Sequence, residues 1–266
     1  MNRPDDVVMA IVVDERPGSG EDRAVALPLY LSCLEIQTFP AERIHLYLRA
    51  VGCSDEATRV LRRWIDTNGR RYKSVVADLG EGSGDAVGLH RMSMGHALRL
   101  GCHYFVVDAN SFIIPTTLER LVDSGLPVVA PLLRTVFTDY TNFAWKVDGD
   151  EDALLDRAEH TALLTGKVRG EILVDAVHST YFVRTDAVEK VRHGSGIVWR
   201  SARISHAPRT PGVGQYLDNR QVYGLFGFVA DEPAERWGRF DHVDFTARIV
   251  NLANSPVNLG NEMETW

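Results

Sequence analysis

The alternation of apolar runs and helical patterns in the first half of the chain constrains its fold more than any other feature. Val7 to Val13 is a near-continuous apolar stretch, the pattern of a strand buried on both faces, and the Gly- and Asp-containing segment from Asp14 to Asp22 follows as a loop. Leu27, Leu31 and Leu34 then recur at helical spacing, and Ile44 to Leu48 forms the next strand. Ser54 and Asp55 can cap a helix in which Ala57, Val60, Leu61, Trp64 and Ile65 make one apolar face. Val75 and Val76 predict a third strand, Gly80 to Gly84 a loop, Met92 to Leu100 a helix, and Tyr104 to Val107 a strand ending at Asp108. Pro115 and Thr116 open another helix, with Thr116 and Glu119 at capping-box spacing and Leu118, Leu121 and Val122 inward. Gly125 ends that helix and Val128 to Ala130 is the following strand.

Such alternation predicts an α/β fold: a mainly parallel central sheet flanked by helices on both faces, with ligands outside the C-terminal ends of the strands. Asp14 and Asp108 then lie on the functional edge. After Pro131 the pattern is looser: Asp152 to Thr165 and Asp218 to Phe228 read as helices, Ile172 to Val177 and Tyr181 to Val183 as strands. A length of 266 residues suits one elaborated domain of this class. Acidic residues outnumber basic ones by 36 to 29, which argues against nucleic acid as a partner but leaves room for a small positive pocket for one diphosphate. Cys33, Cys53 and Cys102 show neither zinc-site spacing nor a disulfide framework and read as reduced thiols. The apolar run at the N-terminus is too short to span a bilayer, which takes ~20 residues, so the expectation is a cytoplasmic protein with no membrane span.

Val106 to Ile113 carries the most useful chemistry. Asp108 and Asn110, at the end of a buried strand, offer hard oxygen ligands that suit Mg²⁺ or Mn²⁺ held against a diphosphate. Asp66-Thr67-Asn68 and Asp148-Gly149-Asp150 fit the same template, but one falls at a helix end and the other in a loop. An Asx turn closing the strand is the competing reading of Asp108. His178 follows a strand and is either a donor-pocket residue or a hydrogen-bonded core histidine. Asp218, beside Asn219, reads as a helix N-cap. Trp237 is core or a platform for a sugar face, His242 lies between Asp241 and Asp244, and Arg16, Arg91 and Arg134 could meet phosphate.

An ordered set of segments resembles the catalytic domain of the procollagen galactosyltransferases. It comprises Leu27 to Glu35, Phe39-Pro40-Ala41-Glu42-Arg43-Ile44, Ser54-Asp55 with Leu61 to Ile65, and Tyr104 to Ile114. Pro115 with Thr117-Leu118, Pro127 to Leu133, Tyr140-Thr141-Asn142-Phe143 and Val177-His178-Ser179-Thr180-Tyr181 complete it. The resemblance implies an A-type glycosyltransferase fold, a nucleoside-diphosphate sugar, often Mn²⁺, and an unknown hydroxyl acceptor. It implies a nucleotide-sugar-binding half over about 1–133, an acceptor-side half over about 134–245, and a tail over about 246–266. Donor contacts would come from Val13, Asp14, Asp108, Ala109, Asn110 and His178, metal ligation from Asp108 and Asn110, and acceptor contacts from Asn142, Asn219 and Trp237. Asp218 would be the catalytic base. The chain departs from the family pattern at Asn110, where the family has an acid, and at Asn219, where paired acids leave only Asp218. It departs again at the lengthened loop beginning Asp14-Glu15-Arg16 and at Val51. A non-catalytic module that binds nucleotide sugars is therefore the alternative expectation.

Overall fold

The computed structural model describes residues 6–14, 27–80, 86–109, 111–134, 141–144, 157–193 and 212–226. In chain order its strands begin with β1 (Val7–Asp14), β2 (Ile44–Val51), β3 (Ser74–Asp78), β4 (His103–Asp108), β5 (Ser111–Ile113), β6 (Val128–Pro131) and β7 (Leu133–Arg134). They continue with β8 (Phe143–Ala144), β9 (Glu171–Val174), β10 (Ala176–Val177), β11 (Thr180–Val183), β12 (Gln215–Asp218) and β13 (Gly224–Phe226). The helices are α1 (Leu27–Glu35), α2 (Asp55–Asn68), α3 (Ala86–Leu100), α4 (Thr117–Asp123), α5 (Arg157–Leu164) and α6 (Thr185–His193).

The apolar runs become the centre of an eight-stranded sheet with order β3-β2-β1-β4-β11-β6-β12-β9. Val7 to Ile11 and Tyr104 to Val107 have no exposed surface, as expected of strands covered on both faces. β1, β2, β3, β4, β6 and β12 run in one direction, while β11 and β9 run against them. The sheet is thus mainly parallel, with β11 inserted antiparallel between β4 and β6. α3 packs on β1, β4 and α6, and α1 lies against α2 and β5. Ser54 caps α2 by accepting from the Ala57 amide at 3.2 Å, and Gly125 ends the α4 turn at φ 65°.

Several local expectations are corrected. Thr116 makes no capping hydrogen bond; the Leu118 amide is instead capped by Gln37 Oε1 at 3.1 Å, and Glu119 accepts from Thr38 at 2.7 Å. The start of α4 is buried under the end of α1, so a tertiary partner displaces the local box. The helix expected from Asp218 to Phe228 does not form. Gln215–Asp218 fills the gap between β6 and β9, and Gly224–Phe226 pairs with β5 and β7, because unpaired strand edges there need ladder partners. The expected strand from Ile172 to Val177 divides into β9 and β10, which join different sheets. The N-terminal part of the helix expected from Asp152 and the tail over 246–266 lie outside the described residues.

A second sheet, β5-β13-β7, stands beside the end of β4. Backbone bonds join it to the main sheet in a relay: Leu132 N to Asp218 O at 2.8 Å, Tyr223 N to Leu132 O at 2.9 Å, and Ile114 N to Tyr223 O at 2.8 Å. A Cβ on Gly224 would collide with the Phe112 carbonyl, so only glycine lets β13 approach β5 this closely. Gly224→Ala is expected to lose about 1–3 kcal/mol of stability, the usual cost of overpacking, measured by urea denaturation. Unchanged stability would show that β13 can retreat from β5 at no cost.

Candidate functional site

The strand directions bring the C-terminal ends of β1, β4, β6 and β12 to one edge, together with the starts of the reversed strands β11 and β9. Asp14, Asp108, the His178-Ser179 turn, Pro131, Asp218 and Glu171 follow one another along it. Asp108 lies at the end of a central strand, as expected. Val12 pairs with Asp108, which sets Val13 and Asp14 beside it. Ala109 is buried, and only Ala109 and Asn110 separate β4 from β5. From Asp108 on β4 to Asp218 on β12 is three strand steps, about 14 Å at ~4.8 Å each. That span suits opposite ends of an elongated ligand better than two groups on one atom.

The turn before β11 holds Asp108 in place. The Asp108 amide donates to Ser179 O at 3.1 Å and to Thr180 Oγ1 at 3.3 Å. Ser179 is the one non-glycine residue with positive φ among those described, at 65°. That left-handed kink lets its carbonyl face β4 while its Oγ meets His178 Nδ1 at 2.9 Å. His178 is buried, and burial lowers its pKa to about 4, against a smaller opposing effect of a Thr141 backbone hydrogen bond. The imidazole is therefore neutral near pH 7 and brings no positive charge to a diphosphate. Asn142 has no exposed surface; its amide donates to Pro131 O at 2.8 Å and to Thr180 O at 3.4 Å, and accepts from Leu133 N at 3.1 Å. It ties β6, β7 and β11 together beneath the site.

Asp218 is wholly buried at the end of β12, and its expected role as a helix N-cap is removed with the helix. Its Oδ1 accepts from Arg220 N at 3.1 Å and Arg220 Nε at 2.9 Å; its Oδ2 accepts from Arg220 Nη2 at 2.5 Å and Tyr223 Oη at 2.6 Å. Arg220 also reaches Glu171 at 3.1 Å. The hydrogen bond to Asp218 raises the Arg220 pKa, and burial, followed by Asp218, pushes the Tyr223 phenol well above its ordinary range. Both therefore remain donors to the carboxylate. An acceptor hydroxyl can reach Asp218 only if Arg220 moves.

Asn219 is also buried. Its Oδ1 accepts from Gly170 N at 2.8 Å, and its Nδ2 donates to Val168 O at 2.6 Å and Leu163 O at 3.1 Å. A carboxylate here would face two carbonyl oxygens with nothing to donate, so the amide is required where it stands. Arg91 is exposed on α3, and Arg134, partly buried at the end of β7, has its pKa lowered by burial. Asn110, Arg16, Trp237 and His242 lie outside the described residues. Sequence reasoning did not single out Ser179, Arg220, Tyr223 or Gly224; their only sequence signal is membership of the His178 and Asp218 segments. An open groove of about 390 Å³ between β3 and α2, lined by Arg62, Asp66 and Asp78 among others, is three strands from Asp108 and separate from this site.

Together the sheet order and the edge define the A-type glycosyltransferase fold. Residues 7–84 match the family model for the glycosyltransferase family 25 N-terminal domain. The inactive glycosyltransferase 25 family member 3 of Mus musculus is 28% identical over 231 residues, covering 77% of this chain and 39% of that protein. Procollagen galactosyltransferase 2 of Homo sapiens is 25% identical over 228 residues, covering 76% of this chain and 36% of that protein. The resemblance read from the sequence is thereby borne out. The chain spans about two fifths or less of the length of these two relatives. Among solved structures, S. aureus TarS superposes with a TM-score of 0.50 at 11% identity over 84% of this chain and 37% of that one, which shows the fold alone.

Buried neutral histidines make the fold acid-sensitive. His178 and His90 both have folded pKa values lowered by burial to about 4 from an ordinary 6.5. Between those values the unfolded chain binds more protons, so this contribution is fully present above pH 6.5 and is lost as pH falls toward 4. Urea denaturation from pH 7 to 4.5 should show the loss. His178→Gln should reduce the slope by about one proton, or ~1.4 kcal/mol per pH unit at most; an unchanged slope would contradict the buried neutral imidazole.

Proposed function

We propose that this chain binds a nucleoside-diphosphate sugar across the C-terminal edge of its sheet and transfers the hexose to a hydroxyl acceptor. The observation carrying this reading is the placement of Asp108 at the end of central β4, locked by the Ser179-Thr180 turn and leading through Ala109 into β5. Asp108, with the carboxamide of Asn110, supplies the all-oxygen ligands that suit Mn²⁺ or Mg²⁺. Such a cation would neutralise charge growing on the departing nucleoside diphosphate. Val13, Asp14 and Ala109 line the donor side, and His178 acts by shaping the turn. In transfer, the acceptor oxygen bonds to the anomeric carbon as the bond to the diphosphate oxygen breaks, and the acceptor proton passes to a carboxylate. Asp218 is the candidate for that base once Arg220 swings away. Asn142 and Asn219 serve the acceptor half through the backbone they hold, with Trp237 proposed as a sugar platform.

The saturation of Asp218 by Arg220 and Tyr223 favours a second reading, a nucleotide-sugar-binding module without turnover. The two relatives have similar identities to this chain, one named inactive and one a galactosyltransferase, so similarity does not separate the readings. Among the described residues no helix is long and apolar enough to cross a membrane. The three free thiols support the proposal that the protein works in the cytoplasm.

A thermal-shift panel of nucleoside diphosphates and their sugars, with and without Mn²⁺, tests donor binding. A ligand at 100 times its Kd should add ~2.7 kcal/mol of stability. Asp108→Ala should remove the Mn²⁺-dependent part and Asn110→Asp should enlarge it; no shift with any nucleotide would sink the proposal. For the base, Asp218→Asn should cut donor hydrolysis or transfer by ~10²- to 10⁴-fold, whereas Arg220→Gln should raise it by freeing the carboxylate. Donor binding with neither effect would establish the binding-module reading instead.

A further inference from the structure

The opposite edge of the sheet gathers a different set of residues. Asp6, just before β1, His45 on β2 and Cys102, just before β4, each bring one ligand atom within 4.8 Å of the others. The register explains this: His103 N donates to Asp6 O at 3.0 Å, placing Cys102 beside Asp6, and His45 pairs with Val8, two residues along and on the same face. Cys102 is delivered by the turn that closes α3. Gly101 at φ 66° lets Gly101 N reach Leu98 O at 3.1 Å and Cys102 N reach Ala97 O at 3.0 Å, the paired bonds of a Schellman motif.

A second imidazole lies near His45. His96, on α3, lies over the Tyr47 ring with centroids 5.3 Å apart. Tyr47 is two residues from His45 on the same strand face. His96 Nδ1 is engaged by Arg99 at 3.2 Å, yet its Nε2 is buried with no hydrogen-bond partner. Native proteins seldom leave such an atom unsatisfied. The surroundings also resemble an outer shell: His45 Nδ1 bonds Ser74 Oγ at 2.7 Å, which fixes the ring, and Lys73 Nζ holds Asp6 Oδ2 at 2.5 Å, leaving the second carboxylate oxygen.

We propose that Asp6, His45 and Cys102 bind Zn²⁺ on the N-terminal edge of the sheet, remote from the donor site, with water completing the shell beside His96. A thiolate, an imidazole and a carboxylate, with water as the fourth ligand, make an N/S/O set that Zn²⁺ accepts and that Mg²⁺ or Mn²⁺, preferring oxygen, does not. Binding displaces the Cys102 thiol proton to solvent. The metal would join α3 to the starts of β1, β2 and β4, where the chain enters the sheet.

The test is titration of the purified chain with Co²⁺, followed by competition with Zn²⁺. A single equivalent should bind with a near-ultraviolet thiolate-to-cobalt charge-transfer band, and Zn²⁺ should bleach it. Cys102→Ser should abolish the band, His45→Ala should weaken Zn²⁺ at least tenfold, and Ser74→Ala should weaken it ~10- to 100-fold through the outer shell. Asp108→Ala should keep the thiolate band at full intensity, which separates this site from the donor site. Circular dichroism of each variant without metal establishes that it is folded. Absence of a thiolate band, its persistence in Cys102→Ser, or unchanged Zn²⁺ affinity in folded His45→Ala would each overturn the proposal.

Discussion

The close approach of Gly224 to the Phe112 carbonyl is the constraint on which the candidate site depends. β5 begins one residue after Asn110, so whatever holds β5 also fixes how the chain leaves Asp108. β13 provides that hold, and its backbone relay through Tyr223 and Leu132 reaches Asp218. Two carboxylates about 14 Å apart are thereby referred to one framework by main-chain hydrogen bonds, which a side-chain substitution elsewhere does not easily loosen.

Polar saturation then decides what each residue is able to do. Asn142 and Asn219 spend both ends of their amides on backbone groups. Exchanging either for a carboxylate would remove donors from buried carbonyls, a cost of about 1–3 kcal/mol or more. Asn219 thus has a sufficient structural reason for being an amide, independent of any lost catalytic acid. Asp218 is the opposite case: a buried carboxylate paired with Arg220, whose side chain is 46% exposed and so has water to move into. The exposed partner leaves the pair able to open toward water, which two fully buried partners could not do.

The two edges of the sheet offer different chemistry. Hard oxygen groups collect where the parallel strands end, beside backbone turns and helix starts that can face a diphosphate. Nitrogen and sulfur collect where the strands begin, packed against the end of α3. A mainly parallel sheet can therefore carry two chemically different clusters, because strand direction sorts the residues at either end of each strand onto opposite edges.

Periodicity alone determined the main-sheet strands and helices up to β6, but not β5, and the location of Asp108, because strands buried on both faces and amphipathic helices write their burial directly into residue order. Residue identity carried the family resemblance, through short segments such as Val177 to Tyr181. Tertiary structure alone decided the rest. Asp218 to Phe228 has enough apolar residues for a helix, and only the open edges of β6, β5 and β7 turn it into strands. Thr116 and Glu119 have the spacing of a capping box, but Gln37, distant in sequence, takes the cap. Cys102 has no zinc-site spacing along the chain; strand register and a helix-ending turn bring it to Asp6 and His45. In each case the deciding partner is remote in sequence, and local pattern cannot encode a contact whose other half is supplied by the fold.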